Sequence, residues 1–165
     1  MNRYRVRFVL NHQPTQMEVK DGQTLLRALR ELGVTSVKRG CEEGECGACT
    51  VLIGSKAYKS CMILAREVEG KEVLTSEGLV TVGSKLHPIQ KAFIEEGAIQ
   101  CGFCTPGMIM ATYALLMEHP HPSKEEIMDG LSGNLCRCTG YSSIFRAVEK
   151  ASKIFDAPQE KEGEA

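Results

Sequence analysis

Eight cysteines fall into two sets of four along this chain of 165 residues. Cys41, Cys46, Cys49 and Cys61 read C-x4-C-x2-C-x11-C, and Cys101, Cys104, Cys136 and Cys138 read C-x2-C-x31-C-x-C. In RGCEEGECGACTV (39–51) three of them are interleaved with Gly40, Gly44 and Gly47. Thiols this dense either pair as disulfides or bind metal. The start, MNRYRVRFVLNHQ, alternates charged and apolar residues and lacks the apolar stretch and cleavage site of a secretory leader. That places the expected compartment in the cytoplasm, where thiols stay reduced. A chain of this length builds a core without bridges, so thiolate ligation of metal is the expected chemistry.

The opening spacings of the first set are those of plant-type ferredoxins, which hold a [2Fe–2S] cluster. A wrapping loop supplies three ligands and a nearby strand end the fourth. Two ferric ions, two sulfides and four thiolates carry net negative charge, which reduction by one electron increases. Such a centre needs backbone N–H groups pointed at its sulfurs, and Gly40, Gly44 and Gly47 permit backbone conformations that a side chain blocks. Zinc fits poorly, because only Cys46 and Cys49 form the short unit that zinc fingers use in pairs. Glu42, Glu43 and Glu45 are hard ligands beside four soft ones and read as solvated loop charges.

The second set is less specific and by itself admits a zinc-ribbon reading. Two features favour iron and sulfide. Cys104 precedes an expected helix cap at Thr105 and Cys138 precedes another helix, so positive helix ends face a shared anionic centre. The C-x-C spacing is also cramped for a zinc hairpin.

The elements that position these loops follow from periodicity. RYRVRFVL (3–10) and TQMEVK (15–20) alternate as half-buried strands joined by a turn containing Pro14. TLLRALRELG (24–33) places Leu25, Leu26, Leu29 and Leu32 on one helical face and stops at Gly33. CTVLIG, KAYKSC and KEVLTSE read as short strands, giving a mixed sheet of ββαβ type with one helix. From about residue 85 helices dominate, over 86–97, 105–118, 123–132 and 142–155. Thr105 with Pro106 reads as a cap with proline at the first helical position, and Ser123 with Glu126 as a capping box. The expected organisation is a sheet domain over 1–78, a linker over 79–85, a helical domain over 86–155 and a disordered polar tail over 156–165, with one cysteine quartet in each domain.

Composition excludes other classes. With 42% hydrophobic and 25% charged residues the chain is a soluble globular type. A net charge of −1 from 20 basic and 21 acidic side chains gives no nucleic-acid footprint. No apolar run approaches the ~20 residues of a bilayer span, so no membrane insertion is expected. The histidines of EHPHPS (118–123) belong to a helix stop and turn. Met108, Met110 and Met117 read as core, Phe103 and Tyr141 as shields beside ligands, and Lys38 and Arg39 either as counter-charges or as solvated cations.

GCEEGECGACTV followed by Cys61, QCGFCTPGM (100–108) and GNLCRCTGY (133–141) together resemble the iron–sulfur subunit of the molybdenum hydroxylases. That group includes xanthine dehydrogenase, aldehyde oxidoreductase, aerobic-type carbon monoxide dehydrogenase and the N-heterocycle hydroxylases. The resemblance covers residues 3–155 and places all eight cysteines on ligand positions. It implies an α+β fold, with an N-terminal β-grasp ferredoxin-like domain followed by a C-terminal four-helix-bundle domain, each with one [2Fe–2S] cluster. It further implies a heterotrimer with a large molybdopterin-binding subunit and a medium FAD-binding subunit. Electrons then pass from the molybdopterin centre through the helical-domain cluster and the ferredoxin-domain cluster to FAD. Gln100 matches a glutamine that contacts the pterin, and Cys138 a ligand whose sulfur lies close to it. The substrate site is expected on the large subunit, with no catalytic residue here. A free-standing two-cluster electron carrier is the alternative.

Overall fold

Alternation of basic and apolar residues folds residues Arg3–Leu10 as strand β1, with Val6 and Phe8 buried and Arg3, Arg5 and Arg7 exposed. The computed structural model describes residues 2–80 and 85–155; residues 81–84, within the expected linker, and the expected tail 156–165 lie outside the described residues. Strand β2 (Gln13–Lys20) pairs antiparallel with β1, opposing Met17 to Val6. The turn is Asn11–His12, both at positive φ (50° and 68°), and not the region of Pro14. Pro14 instead lies in β2 opposite Val9, whose amide donates to Lys71 O at 2.9 Å on its other side. An edge strand tolerates the missing donor there.

Helix α1 (Leu25–Glu31) buries Leu25, Leu26, Ala28 and Leu29 and is capped by Thr24 Oγ1, which accepts from Arg27 N at 3.4 Å. Leu32, expected on the same face, is the C-cap and is 40% exposed. Strands β3 (Thr50–Ile53), β4 (Lys56–Lys59) and β5 (Glu72–Leu74) complete a sheet of order β2-β1-β5-β3-β4. The β1–β5 pair is parallel and the others antiparallel. A five-stranded mixed sheet gripping one helix is the β-grasp arrangement, fuller than the ββαβ unit read from periodicity.

Helices α2 (Pro88–Glu95), α3 (Thr105–Glu118), α4 (Lys124–Gly130) and α5 (Ser142–Ala151) form the second unit. Ser123 Oγ accepts from Glu126 N at 3.2 Å while Glu126 Oε2 accepts from Ser123 N at 2.6 Å, the expected capping box. The α3 cap differs from expectation: Cys104 occupies it without a side-chain bond, and Thr105 is the first helical residue. Helix α3 is buried around most of its circumference, Met108 and Met110 included, and so serves as the central helix. Lys150 of α5 lies 3.0 Å from both Glu95 and Glu96, tying α5 to α2.

The two units share a wall. Val51 and Val73 pack with α1, whereas the adjacent Leu52 and Leu74 pack with α3 and its neighbours. Successive strand residues point to opposite faces, so β3 and β5 are covered on both sides by different cores.

His87 caps α2, its Nδ1 accepting from Ile89 N at 3.3 Å, with its ring 5.6 Å from Tyr113 and 5.1 Å from Phe155. Burial lowers its pKa from the usual histidine range. The neutral form is therefore favoured by folding, and protonation removes the acceptor that caps the helix. Its contribution is full above the unfolded histidine pKa of ~6.5 and fades as pH falls through the lowered value. Urea unfolding at pH 7 and pH 5 should show an acid loss of about 0.5–2 kcal/mol, the worth of a cap. That loss should shrink in His87→Asn, which caps without titrating; an equal pH slope in both proteins would refute the role.

Candidate metal centres

The cysteine loops follow the sheet and helix ends. Residues 41–49 run from α1 toward β3, and Cys61 lies in the short turn of 3₁₀ helix (Ser60–Met62) after β4. Cys101 and Cys104 immediately precede α3, and Cys136 and Cys138 lie between α4 and α5. Cys49 and Cys61 are buried and Cys41 and Cys46 half-buried; in the second quartet Cys101 and Cys138 are exposed.

Within each quartet the thiols associate in twos. Cys41 lies beside Cys46, and Cys49 beside Cys61. Cys104 lies beside Cys136, and the Cys101 and Cys138 sulfurs are 3.6 Å apart. Among the described residues no three His, Cys, Asp or Glu side chains are grouped so as to hold one metal ion. Four thiols in two close pairs suit a bridged pair of tetrahedral irons, each taking two thiolates, and the residues present fit that group.

Backbone amides meet the sulfurs, as an anionic centre requires. Glu43 N and Cys46 N each donate to Cys41 Sγ at 3.4 Å, and these bonds lower its pKa to about 7. Inner thiols shift the other way. Burial, with the neighbouring Cys49 sulfur, pushes Cys61 up to about 11; burial, with Cys136, pushes Cys104 up to about 12. These two shed protons reluctantly unless a cation takes their place. Burial also acts to raise Cys136, but the Thr139 hydroxyl, 3.2 Å from its sulfur, and nearby amides bring it below the ordinary thiol value. Cys138 is raised by the Cys101 thiol.

The glycines serve in two ways. Gly44 and Gly47 have φ of +80° and +67°, as expected of residues freed from a side chain. Gly40 is different: a Cβ there would stand 2.9 Å from Cys46 Sγ, so space and not backbone conformation requires glycine. Glu42 is not a free loop charge. It bridges Arg27, at 2.9 Å, and Arg39, and these arginines, Arg39 foremost, lower its pKa. Arg39 is thereby paired with a carboxylate of the loop. Phe103, 47% exposed, is a partial shield, its ring edge close to Gly40. Tyr141 is more than a shield, since its hydroxyl accepts from Cys136 N at 2.9 Å.

The two loops meet. Leu135 N donates to Cys46 O at 2.9 Å, a direct backbone bond from the residue before Cys136 to a cysteine of the other quartet. The buried Asn134 amide donates to Gly47 O at 3.0 Å and Thr50 Oγ1 at 3.3 Å. A Cβ on Gly47 would collide with Gly133 O, and one on Gly107 with Gly47 O. Asn134, Leu135 and Gly107 lie inside GNLCRCTGY and QCGFCTPGM, but no spacing in the sequence says that these motifs touch the first loop. Gln100, Cys101 and Cys138 are each exposed, and of these the Cys101 and Cys138 sulfurs lie side by side.

Residues 8–77 match the family described as 2Fe-2S iron-sulfur cluster binding domain, and residues 75–149 that described as [2Fe-2S] binding domain. The nicotinate dehydrogenase small FeS subunit of Eubacterium barkeri is 45% identical over 152 residues, covering 92% of this chain and 96% of that protein. The xanthine dehydrogenase iron-sulfur-binding subunit of Escherichia coli O157:H7 is 49% identical over 146 residues, covering 87% and 91%. Quinoline 2-oxidoreductase of Pseudomonas putida 86 superposes with a TM-score of 0.87 at 42% identity, over 92% of this chain and 94% of that one. The aldehyde oxidoreductase of Desulfovibrio gigas gives 0.86 at 37% identity, covering 92% of this chain but 17% of that longer one.

Gly107 lies in the first turn of α3, where helix propensity alone makes alanine more stable by up to about 1 kcal/mol. The approach of Gly47 O reverses the sign. Gly107→Ala should destabilise the chain by about 1–3 kcal/mol, in the range of overpacked contacts. Urea unfolding of the metal-loaded protein measures this, and a stabilised variant would show that the two loops do not pack as described.

Proposed function

We infer the role of this chain from its family: it belongs to the iron–sulfur subunits of the molybdenum hydroxylases. It is an electron-transfer subunit of a multi-subunit oxidoreductase, with two [2Fe–2S] clusters and larger partner subunits. Among the described residues no helix is long and apolar enough to cross a membrane.

The finer reading is our proposal. Cys41, Cys46, Cys49 and Cys61 hold one cluster, and Cys101, Cys104, Cys136 and Cys138 the other, in units spanning about 1–78 and 86–155. The pairing of all eight thiols in twos is the observation that carries it. When bound, each cluster supplies a one-electron couple of the kind that links two-electron centres. The chain's residues supply position: α1 and β3 anchor the first loop, the start of α3 and the segment before α5 anchor the second, and the Leu135–Cys46 bond holds the loops against each other.

The partners are a large molybdopterin-binding subunit and a medium FAD-binding subunit, in a cytoplasmic heterotrimer. Gln100 and Cys138 face the pterin; both are exposed, so another subunit can reach them. Electrons enter there and leave through the first quartet toward FAD. The substrate is bound and hydroxylated on the large subunit, and its class follows that subunit.

Cys46→Ser should halve the iron per chain and remove one of two paramagnetic signals from the dithionite-reduced protein, leaving the other. Simultaneous loss of both would mean the quartets are not independent sites. In the assembled complex, Gln100→Ala should slow reduction of the chain by substrate by about tenfold, as for a bond worth ~1.4 kcal/mol. Unaltered rates would remove Gln100 from the pterin contact. A stable lone chain carrying both clusters in native extracts would favour the free carrier.

A further inference from the structure

Thr139 stands between two partners in the second loop. Its Oγ1 accepts from Tyr141 N at 3.2 Å and lies 3.2 Å from Cys136 Sγ. The amide takes one lone pair of the oxygen, and the hydroxyl hydrogen remains free to be given to the sulfur. A thiolate has no hydrogen to give, so with Cys136 bound to metal the hydroxyl is the donor. Tyr141 holds the arrangement. It sits at φ +68°, its hydroxyl accepts from Cys136 N at 2.9 Å, and the same hydroxyl donates to Asn134 O at 3.3 Å. Cys136, Thr139 and Tyr141 thus form a closed set of bonds around one sulfur. Among the described residues no hydroxyl donates to a sulfur of the first quartet; the donors to Cys41 are backbone amides.

We propose that Thr139 is a positioning residue that raises the reduction potential of the second quartet's cluster by donating its hydroxyl hydrogen to Cys136 Sγ. The inference rests on the reading that Cys136 is a ligand. Reduction adds one electron and no proton: the sulfurs gain negative charge, the hydrogen stays on Oγ1, and its bond to sulfur strengthens. A donor to a charged acceptor is worth more than one to a neutral acceptor, so the bond favours the reduced form, and hydrogen bonds to sulfur are among the determinants of these potentials. Thr139 is only partly buried, but its partner Cys136 is also half-buried, so water does not replace the bond at no cost.

The test is a dithionite titration of the chain in its native complex, with both paramagnetic signals followed separately. Unaltered protein must first show two signals and full iron; failure at that step refutes the cluster assignment and not the role of Thr139. Thr139→Val keeps the shape and removes the donor. It should disfavour reduction of one centre by about tenfold, about 59 mV for one electron, and leave the other unmoved. Thr139→Ser restores the donor and should restore the potential. Equal potentials in Val and wild type, a shift upward, or equal shifts in Val and Ser would overturn the proposal. Iron analysis accompanies each variant, and if Val fails to load, Thr139→Ala takes its place with the same expectation. Loss of the cluster from both Val and Ala, with Ser fully loaded, would make the hydroxyl a structural bond only and would also overturn it.

Discussion

Each cysteine quartet gathers thiols so closely that ionising one raises the cost of ionising the next. Two thiols withdrawn from solvent, Cys61 buried and Cys104 half-buried, show this, pushed up to about 11 and about 12 by burial and by neighbouring sulfur. Four thiolates in such a space need cations among them, and they also need donors for the negative charge that remains. The chain meets both needs with local means. Sulfurs are gathered in close pairs, and backbone amides or a hydroxyl lie beside sulfur. The loop glycines, the short helix starts and the bridging of Glu42 between two arginines all follow from building that cage near a surface.

A carrier of electrons must also keep its centres near one another, and the fold does so by merging two cores at one sheet. Strands β3 and β5 face α1 on one side and α3 on the other, so the ferredoxin-like unit and the helical unit cannot slide without exposing Leu52 and Leu74. Against that wall the two cysteine loops touch through Leu135, Asn134, Gly47 and Gly107. Close backbone approach excludes side chains at the contact, which is why glycine stands on both sides of it.

Relatives at 45% and 49% identity span nearly their whole lengths with this chain, so the two-unit arrangement is shared as a whole and not assembled from separate likenesses. In the Desulfovibrio gigas aldehyde oxidoreductase the matched region is a small part of a longer chain. The same unit thus occurs both as a separate subunit and as a segment of a larger polypeptide, which suits a part whose task is placement.

Much was legible in the residues alone. Cysteine spacing divided the thiols into the two sets within which the structure brings sulfurs into close pairs, because short spacings constrain where a loop can turn. Alternation in RYRVRFVL and the capping box at Ser123 placed strand and helix, because both act within a few residues. Other features depended on residues far apart in the chain. That Pro14 sits in an edge strand, that Gly40 is required by space, that Glu42 joins Arg27 to Arg39, and that Leu135 bonds to Cys46 were decided by the tertiary structure. Spacing records chemistry that a segment carries with it, whereas packing between segments depends on which faces the fold brings together, and no periodicity within either segment contains that information.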